Sequence, residues 1–230
     1  MTLYGTISNG QGLTASIRAM HLEFSMLGVH SENITGFDKV GYQRQEPVVS
    51  SFAEILGVDA LSVSRDNTPG RLVGTQKPLD VALSDKGYFQ IQTPEGVKLT
   101  RDGRFKIDKD GYLLSQLNEH VLSNNGVPIQ LPRVPVDLDE IKIDKKGAIY
   151  LFDKKNLTQE YVTNLGVVSD DNTVLVNPNV HQGFNEYSNV RIDSEFMRMA
   201  PTRRNFEANR RMFIIQSSAL SRIIQNLASA

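Results

Sequence analysis

Met199, Phe206, Phe213, Leu220 and Leu227 stand seven residues apart at the end of the chain. Sevenfold apolar spacing specifies a long helix with a continuous seam. A second stripe, Met212, Ile215, Ala219 and Ile223, runs beside it, and Ile214 and Ile224 widen the arc. A helix wet on one side needs a single stripe. One that is apolar around most of its circumference needs neighbours on several sides, and the chain offers one other long helical segment. There Leu13, Ile17, Met20, Phe24 and Leu27 alternate steps of four and three. Gly10 and Gly12 loosen the stretch before it, and Gly28 weakens its end. The first dozen residues are expected to fray in a free monomer. The tail is therefore expected to bury itself against other copies or other proteins. The alternative is a tail docked on the chain's own β region.

Between these ends the pattern changes. Leu79–Leu83, Tyr88–Gln92, Val97–Thr100, Arg104–Ile107, Tyr112–Leu114, Ile141–Ile143, Ala148–Phe152 and Val174–Val176 are short alternating or β-branched runs. Turn residues separate them at 93–96, 101–103, 108–111 and 124–126. No helix-length segment intervenes, so the sheet is expected to be antiparallel, without parallel crossovers. The predicted class is α+β: an antiparallel, mainly-β central domain and a discontinuous helical domain. The predicted divisions are 1–44, an N-terminal helical segment; 45–71, an irregular connector with a turn at Asn67–Gly70; 72–192, the β domain; and 193–230, the C-terminal helix. Asp193 is read as the cap of that helix and Pro201 as a bend within it. Ile107-Asp-Lys-Asp-Gly111 and Ile143-Asp-Lys-Lys-Gly147 echo each other as strand, tight turn, strand. Lysines in both turns argue against a calcium loop.

The residues offer little chemistry. With no Cys, disulfides, thiolate metal sites and Cys nucleophiles are excluded. His21, His30, His120 and His181 form no ligand pair, and no nucleophile elbow, phosphate loop or dinucleotide fingerprint occurs. Asp80 interrupts an apolar strand, but no second acid stands beside it in the sequence, and a structural role is expected. No enzymatic activity, metal or cofactor is expected. The 25 Lys+Arg and 26 Asp+Glu leave a net charge of −1, which gives no reason to expect nucleic acid as a partner. Arg203, Arg204, Arg210 and Arg211 form two rows flanking Phe206 and Phe213, the normal place for salt bridges between helices. No apolar run approaches the ~20 residues of a membrane span. The first ten residues lack the basic and apolar regions of a secretory signal.

Several segments, in order, resemble the axial proteins of the bacterial flagellum, specifically the basal-body rod and hook family. Asn33, Gly41, Tyr42 and Arg44 match its N-terminal motif, although Gly36 and Lys39 depart from it. Pro78-Leu79-Asp80-Val-Ala-Leu, Gly87-Tyr-Phe89 and Leu99-Thr-Arg101-Asp102-Gly103-Arg-Phe resemble its β signature. Gln182-Gly-Phe-Asn-Glu-Tyr-Ser188-Asn189-Val190 and Met199-Ala-Pro-Thr-Arg-Arg-Asn-Phe-Glu207-Ala-Asn209 resemble its last two motifs.

The resemblance implies that the terminal helices pair into a coiled coil and pack with other copies and other axial proteins, forming the inner wall of a tube. The β domain then lies outside. It further implies a periplasmic rod, reached unfolded through the flagellar type III export apparatus without a cleaved signal peptide. Only residues 72–192 lie between connector and tail, which favours a rod protein over a hook protein carrying further domains. Gly70–Asp80 and the short connector lean toward the proximal rod type (FlgF) over the distal type (FlgG). The alternatives are a short hook or hook-like protein and, more distantly, a β-domain binding module or enzyme with a coiled-coil tail.

Overall fold

The computed structural model describes residues 3–50, 61–153 and 156–229. The chain divides into two compact units. One comprises Met1–Thr35, Gln45–Arg65 and Val190–Ala230, the other Gly36–Arg44 and Asp66–Asn189. The class is α+β, with two long helices and otherwise antiparallel strands.

The helical unit holds α1 (Leu3–Gly36), α2 (Ile192–Ala228) and a hairpin of β1 (Gln45–Val49) and β2 (Leu61–Arg65). Gly12 of α1 lies against the Gln216 side chain of α2, Glu23 hydrogen-bonds Asn205, and His30 meets Glu195. As α1 advances, its partners recede along α2, so the pair is antiparallel.

The other unit is the β domain. Its largest sheet runs in the order β13 (Val167–Val168), β5 (Tyr88–Thr93), β9 (His120–Val121), β8 (Leu113–Leu114), β7 (Lys106–Ile107), with β6 (Gly96–Thr100) also paired to β5. A second sheet orders β10 (Ile141–Ile143), β11 (Ala148–Asp153) and β12 (Thr158–Asn164). Two further pairs join β14 (Val180–Gln182) to β4 (Val81–Leu83) and β15 (Phe184–Tyr187) to β3 (Arg71–Gly74). One core is shared by β4, β5, β8, β9, β10, β11, β13 and β14, with β7 and β12 packed against it. Val81, Leu83, Phe89, Val121, Ile129, Ile141, Ile149, Leu151 and Val167 are at most 2% exposed. The Phe89 and Phe105 rings meet edge to face, centroids 5.2 Å apart. Each such side chain contributes about 1.5–3 kcal/mol.

The echoed turns are chemically the same. Asp108 Oδ1 accepts from the backbone N–H of Asp110 and Tyr112, and Asp144 Oδ1 accepts from those of Lys146 and Ala148. Gly111 and Gly147 close them at φ 83° and 82°, a left-handed conformation that glycine adopts without strain.

Three sequence expectations are revised. Residues 45–71, expected as an irregular connector, contain the β1–β2 hairpin, with Gln45 opposite Arg65 and Val49 opposite Leu61; residues 51–60 lie outside the described residues. Pro47 lies within β1, and a two-stranded hairpin is all edge, where proline is tolerated. The N-terminal helical segment, expected to reach residue 44, ends at Gly36. It passes straight through Gly28, whose cost of about 1 kcal/mol is spread over a long helix. Helix spans Leu3 to Gly12, while residues 1–2 lie outside the described residues. Beyond Gly36, residues 37–44 join the β unit, where Val40 pairs with Tyr187 and Gly41 N–H donates to the Glu186 carbonyl. Finally, α2 is capped at Arg191 rather than Asp193. Asp193 lies one residue into the first turn, paired with the Arg191 guanidinium, and α2 continues through Pro201.

Candidate functional site

Polar side chains take part in the meeting of α1 and α2 alongside apolar ones. On α1, Ser16, His30 and Asn33 are buried and Gly12, Ala19, Glu23 and Met26 half-buried, again in steps of four and three. On α2 the matching series is Glu195, Met199, Thr202, Phe206, Asn209, Phe213, Gln216, Leu220 and Ile223. Glu195 is fully buried, and its Oε2 accepts from Asn33 Nδ2 and lies 2.6 Å from His30 Nδ1. Asn33 also brackets Gln45, accepting from its N–H and donating to its carbonyl, and so docks β1 on the helices. Burial pushes the Glu23 carboxyl up from its ordinary value, partly opposed by the hydrogen bond from Asn205.

The apolar residues singled out in the sequence are distributed differently. Leu13, Met20 and Leu27 are half-buried, while Ile17 and Phe24 are 51% and 68% exposed. Met199, Phe206, Phe213 and Leu220 are half-buried, and Leu227 is exposed. Phe196, Met197, Met212, Ile214, Ile215 and Ile224 are exposed as well. The helical unit thus carries large apolar side chains on its exposed faces. Glu207 pairs with Arg210 at 3.3 Å.

The motif residues of the β unit converge on Arg101 and Asp80. The buried Arg101 guanidinium donates to Glu186 and to the carbonyls of Leu83, Asp85 and Gly87. Glu186 Oε1 accepts from Gly70 N–H. Asp80, beside the buried Leu79, accepts from Asn185 Nδ2 at 3.0 Å. Asp102 holds Arg104 through both carboxylate oxygens. Gly103 lies so close to the Val81 carbonyl that an added Cβ would overlap it, and one at Gly41 would overlap the Asp102 backbone. Gly87 turns into β5 ahead of the fully buried Phe89, and Tyr42 packs against Gly36. Asn189 Oδ1 accepts from Arg44 N–H while its amide donates to the Asp66 and Thr68 carbonyls. Ser188 is buried in the same unit, and Val190 is buried in the helical one. These groups are occupied in holding loops to strands. Burial raises the Asp66 carboxyl, but hydrogen bonds from Thr68, helped by Arg44 and Lys86, outweigh it and hold the group below its ordinary value.

Glu186, Asn185, His30 and Glu195 were not among the sequence candidates. Glu186 and Asn185 stand inside the 182–190 motif, which was a usable signal. His30 and Glu195 gave none, being separated by most of the chain. Among the described residues, no three His, Asp or Glu side chains group so as to hold a metal ion, and no helix is long and apolar enough to cross a membrane.

Residues 82–151 match the family model of the flagellar hook protein FlgE/F/G D1 domain, and residues 181–226 that of the flagellar basal body rod FlgEFG protein C-terminal region. The flagellar basal-body rod protein FlgF of Mesorhizobium japonicum is 32% identical over 173 residues, covering 70% of this chain and 71% of its own. FlgG of Buchnera aphidicola is 29% identical over 199 residues, 74% of this chain and 73% of its own. FlgG of Bacillus subtilis is 23% identical over an alignment of 262 residues, 93% of this chain and 98% of its own. The β unit carries the first matched region and α2 most of the second, and on these matches the chain belongs to the flagellar basal-body rod protein family.

Proposed function

We propose that this chain is a self-assembling structural subunit of the periplasmic rod, of the FlgF type, which transmits torque by rigid packing and carries no chemistry of its own. The observation that carries the reading is the exposure of Ile17, Phe24, Phe196, Met197, Ile215, Ile224 and Leu227 on two long helices. Exposed apolar rows on a rigid helical pair mark an interaction surface. Burying them against neighbouring copies and other axial flagellar proteins removes them from water. The terminal helices then form the inner wall and the β domain faces outward. Delivery through the flagellar type III export apparatus follows from the same family reading. The choice of FlgF over FlgG is supported by the short connector and the Gly70–Asp80 stretch.

Electron microscopy of the concentrated protein tests assembly. Tubes or protofilaments are expected, and discrete small oligomers at every concentration overturn the reading. Complementation tests the type. The chain should restore motility to a strain lacking its proximal rod protein and not to one lacking its distal rod protein, and the reverse result assigns it to FlgG.

A further inference from the structure

The arginine rows flanking the tail seam were expected to pair with the neighbouring helix. α1 supplies no such partners. α2 carries Arg198, Arg203, Arg204, Arg210, Arg211 and Arg222 against Asp193, Glu195 and Glu207. All three acids are engaged: Asp193 with Arg191, Glu195 with His30 and Asn33, and Glu207 with Arg210. Arg198 is paired with Glu46. Among the described residues, Arg203, Arg204 and Arg211 have no ion-pair partner. They line a groove of about 770 Å³ together with the apolar Leu27, Phe196, Met199, Ala200 and Ala208 and with Glu207, whose carboxylate is held by Arg210.

An apolar floor beside three unpaired guanidinium groups selects its occupant. Each guanidinium presents a planar fork that matches a carboxylate. A phosphate chain would satisfy the arginines but bring nothing to cover the floor. An amphipathic helix with acidic residues beside its apolar stripe satisfies both. A second copy's helices are poorly suited. Glu23 is half-buried and bonded to Asn205, the α2 acids are engaged, and only Glu32 is left on α1. Two such helices face to face would place arginine against arginine.

We infer that this groove binds an acidic amphipathic helix of a different protein, with carboxylates on Arg203, Arg204 and Arg211 and its apolar edge on Leu27, Phe196 and Met199. The inference rests on the reading of the terminal helices as an assembly surface. It makes this part of that surface heterotypic, while the exposed apolar rows elsewhere remain available to copies of the same chain.

The test uses the full chain and fluorescently labelled synthetic helices. One carries leucines at heptad positions flanked by Glu, a second has Gln in place of every Glu, and a third is residues 13–36 of this chain. The Glu helix should bind at least about tenfold tighter than the Gln helix and the 13–36 helix. Its advantage should shrink as salt is raised. R203Q/R204Q/R211Q should remove the advantage while leaving the affinity for the Gln helix unchanged. Equal binding of Glu and Gln helices overturns the inference. So does a 13–36 helix, or a single-stranded oligonucleotide, that binds as tightly as the Glu helix. Should the triple variant lose its helical circular dichroism, stepwise Glu-to-Gln replacement in the peptide against the wild-type chain decides the matter. Tubes from the pure chain together with no preference for the Glu helix leave the rod reading standing and sink this one. A clear Glu preference in a chain that never assembles does the reverse.

Discussion

Arg101 and Glu186 form a buried ion pair across the β unit, 2.6 Å apart, with side chains 1% and 4% exposed. The guanidinium also ties down the carbonyls of Leu83, Asp85 and Gly87, and the carboxylate accepts from Gly70 N–H. Removing one partner strands a charge that water cannot reach. Arg101→Met is expected to cost the β unit about 3–5 kcal/mol, read as a lower denaturation midpoint in urea. A midpoint unchanged from the wild type would mean that the pair contributes nothing net.

The two echoed turns make a matched experiment. Asp108 and Asp144 each accept two backbone N–H groups through one oxygen. Losing two such bonds at a half-exposed turn costs about 1–2 kcal/mol. Asp108→Ala and Asp144→Ala should therefore lower the melting temperature by similar amounts. Asn at either position keeps the acceptor and should recover most of the loss.

These turns were legible in the sequence because their signal is local: Asp, two polar residues and a glycine between apolar runs. Phe89 and Leu79 were legible for the same kind of reason, as apolar residues inside short strands bounded by turn chemistry. The polar contacts between α1 and α2 were not. A heptad reading scores apolar residues, so it picked Ile17 and Phe24, which the structure leaves exposed. Ser16, His30 and Asn33 are polar, so a heptad reading passes over them, yet they are buried. Their burial is tolerable only because Glu195 and the Gln45 backbone supply hydrogen-bond partners. That pairing spans 162 residues or more between Glu195 and α1, and nothing local encodes it. The β1–β2 hairpin was hidden by Pro47 and by exposed valines that break the alternation.

Glu23 gives the helical unit a pH dependence whose sign can be worked out. Its folded-state value is raised by burial. The folded chain therefore holds this proton more tightly than the unfolded chain does. Stability from this group is present at low pH and is lost as pH rises from about 4.5 upward through the raised value. At neutral pH the charged carboxylate is a small liability. Glu23→Gln keeps the acceptor for Asn205 and removes the charge. A small rise in Tm is expected at about pH 7, vanishing at about pH 4. An unchanged or lower Tm for Glu23→Gln at neutral pH would contradict this.

The boundaries of the β unit predict the behaviour of fragments. Residues 36–44 belong to it through the Val40–Tyr187 bridge, the Gly41–Glu186 hydrogen bond and the Arg44–Asn189 hydrogen bond. A fragment of residues 36–190 is expected to melt cooperatively with a β-type circular dichroism spectrum. One beginning at residue 45 should melt at a lower temperature, having lost those three links. Equal melting temperatures would show that residues 36–44 add nothing.

Assembly and folding should separate at the exposed apolar residues. Phe24 is 68% exposed and Ile215 65%, on different helices. Substituting either with Asp leaves the isolated chain with a charge in water, and such surface changes stay within about 0.5 kcal/mol. The melting temperature of each variant should therefore match the wild type. In an assembled tube the same carboxylate would be desolvated without a partner, at a cost of several kcal/mol per subunit. Each subunit of the assembly repeats that cost, so Phe24→Asp and Ile215→Asp should abolish tube formation and motility. Phe213→Asp differs, because Phe213 is half-buried within the helical unit. It should lower the stability of the helical unit as well as block assembly, with the β unit melting unchanged. Motile cells with normal rods carrying Phe24→Asp or Ile215→Asp would show that these faces are not the assembly surface. A lower melting temperature of the β unit in Phe213→Asp would show that α2 supports that unit directly.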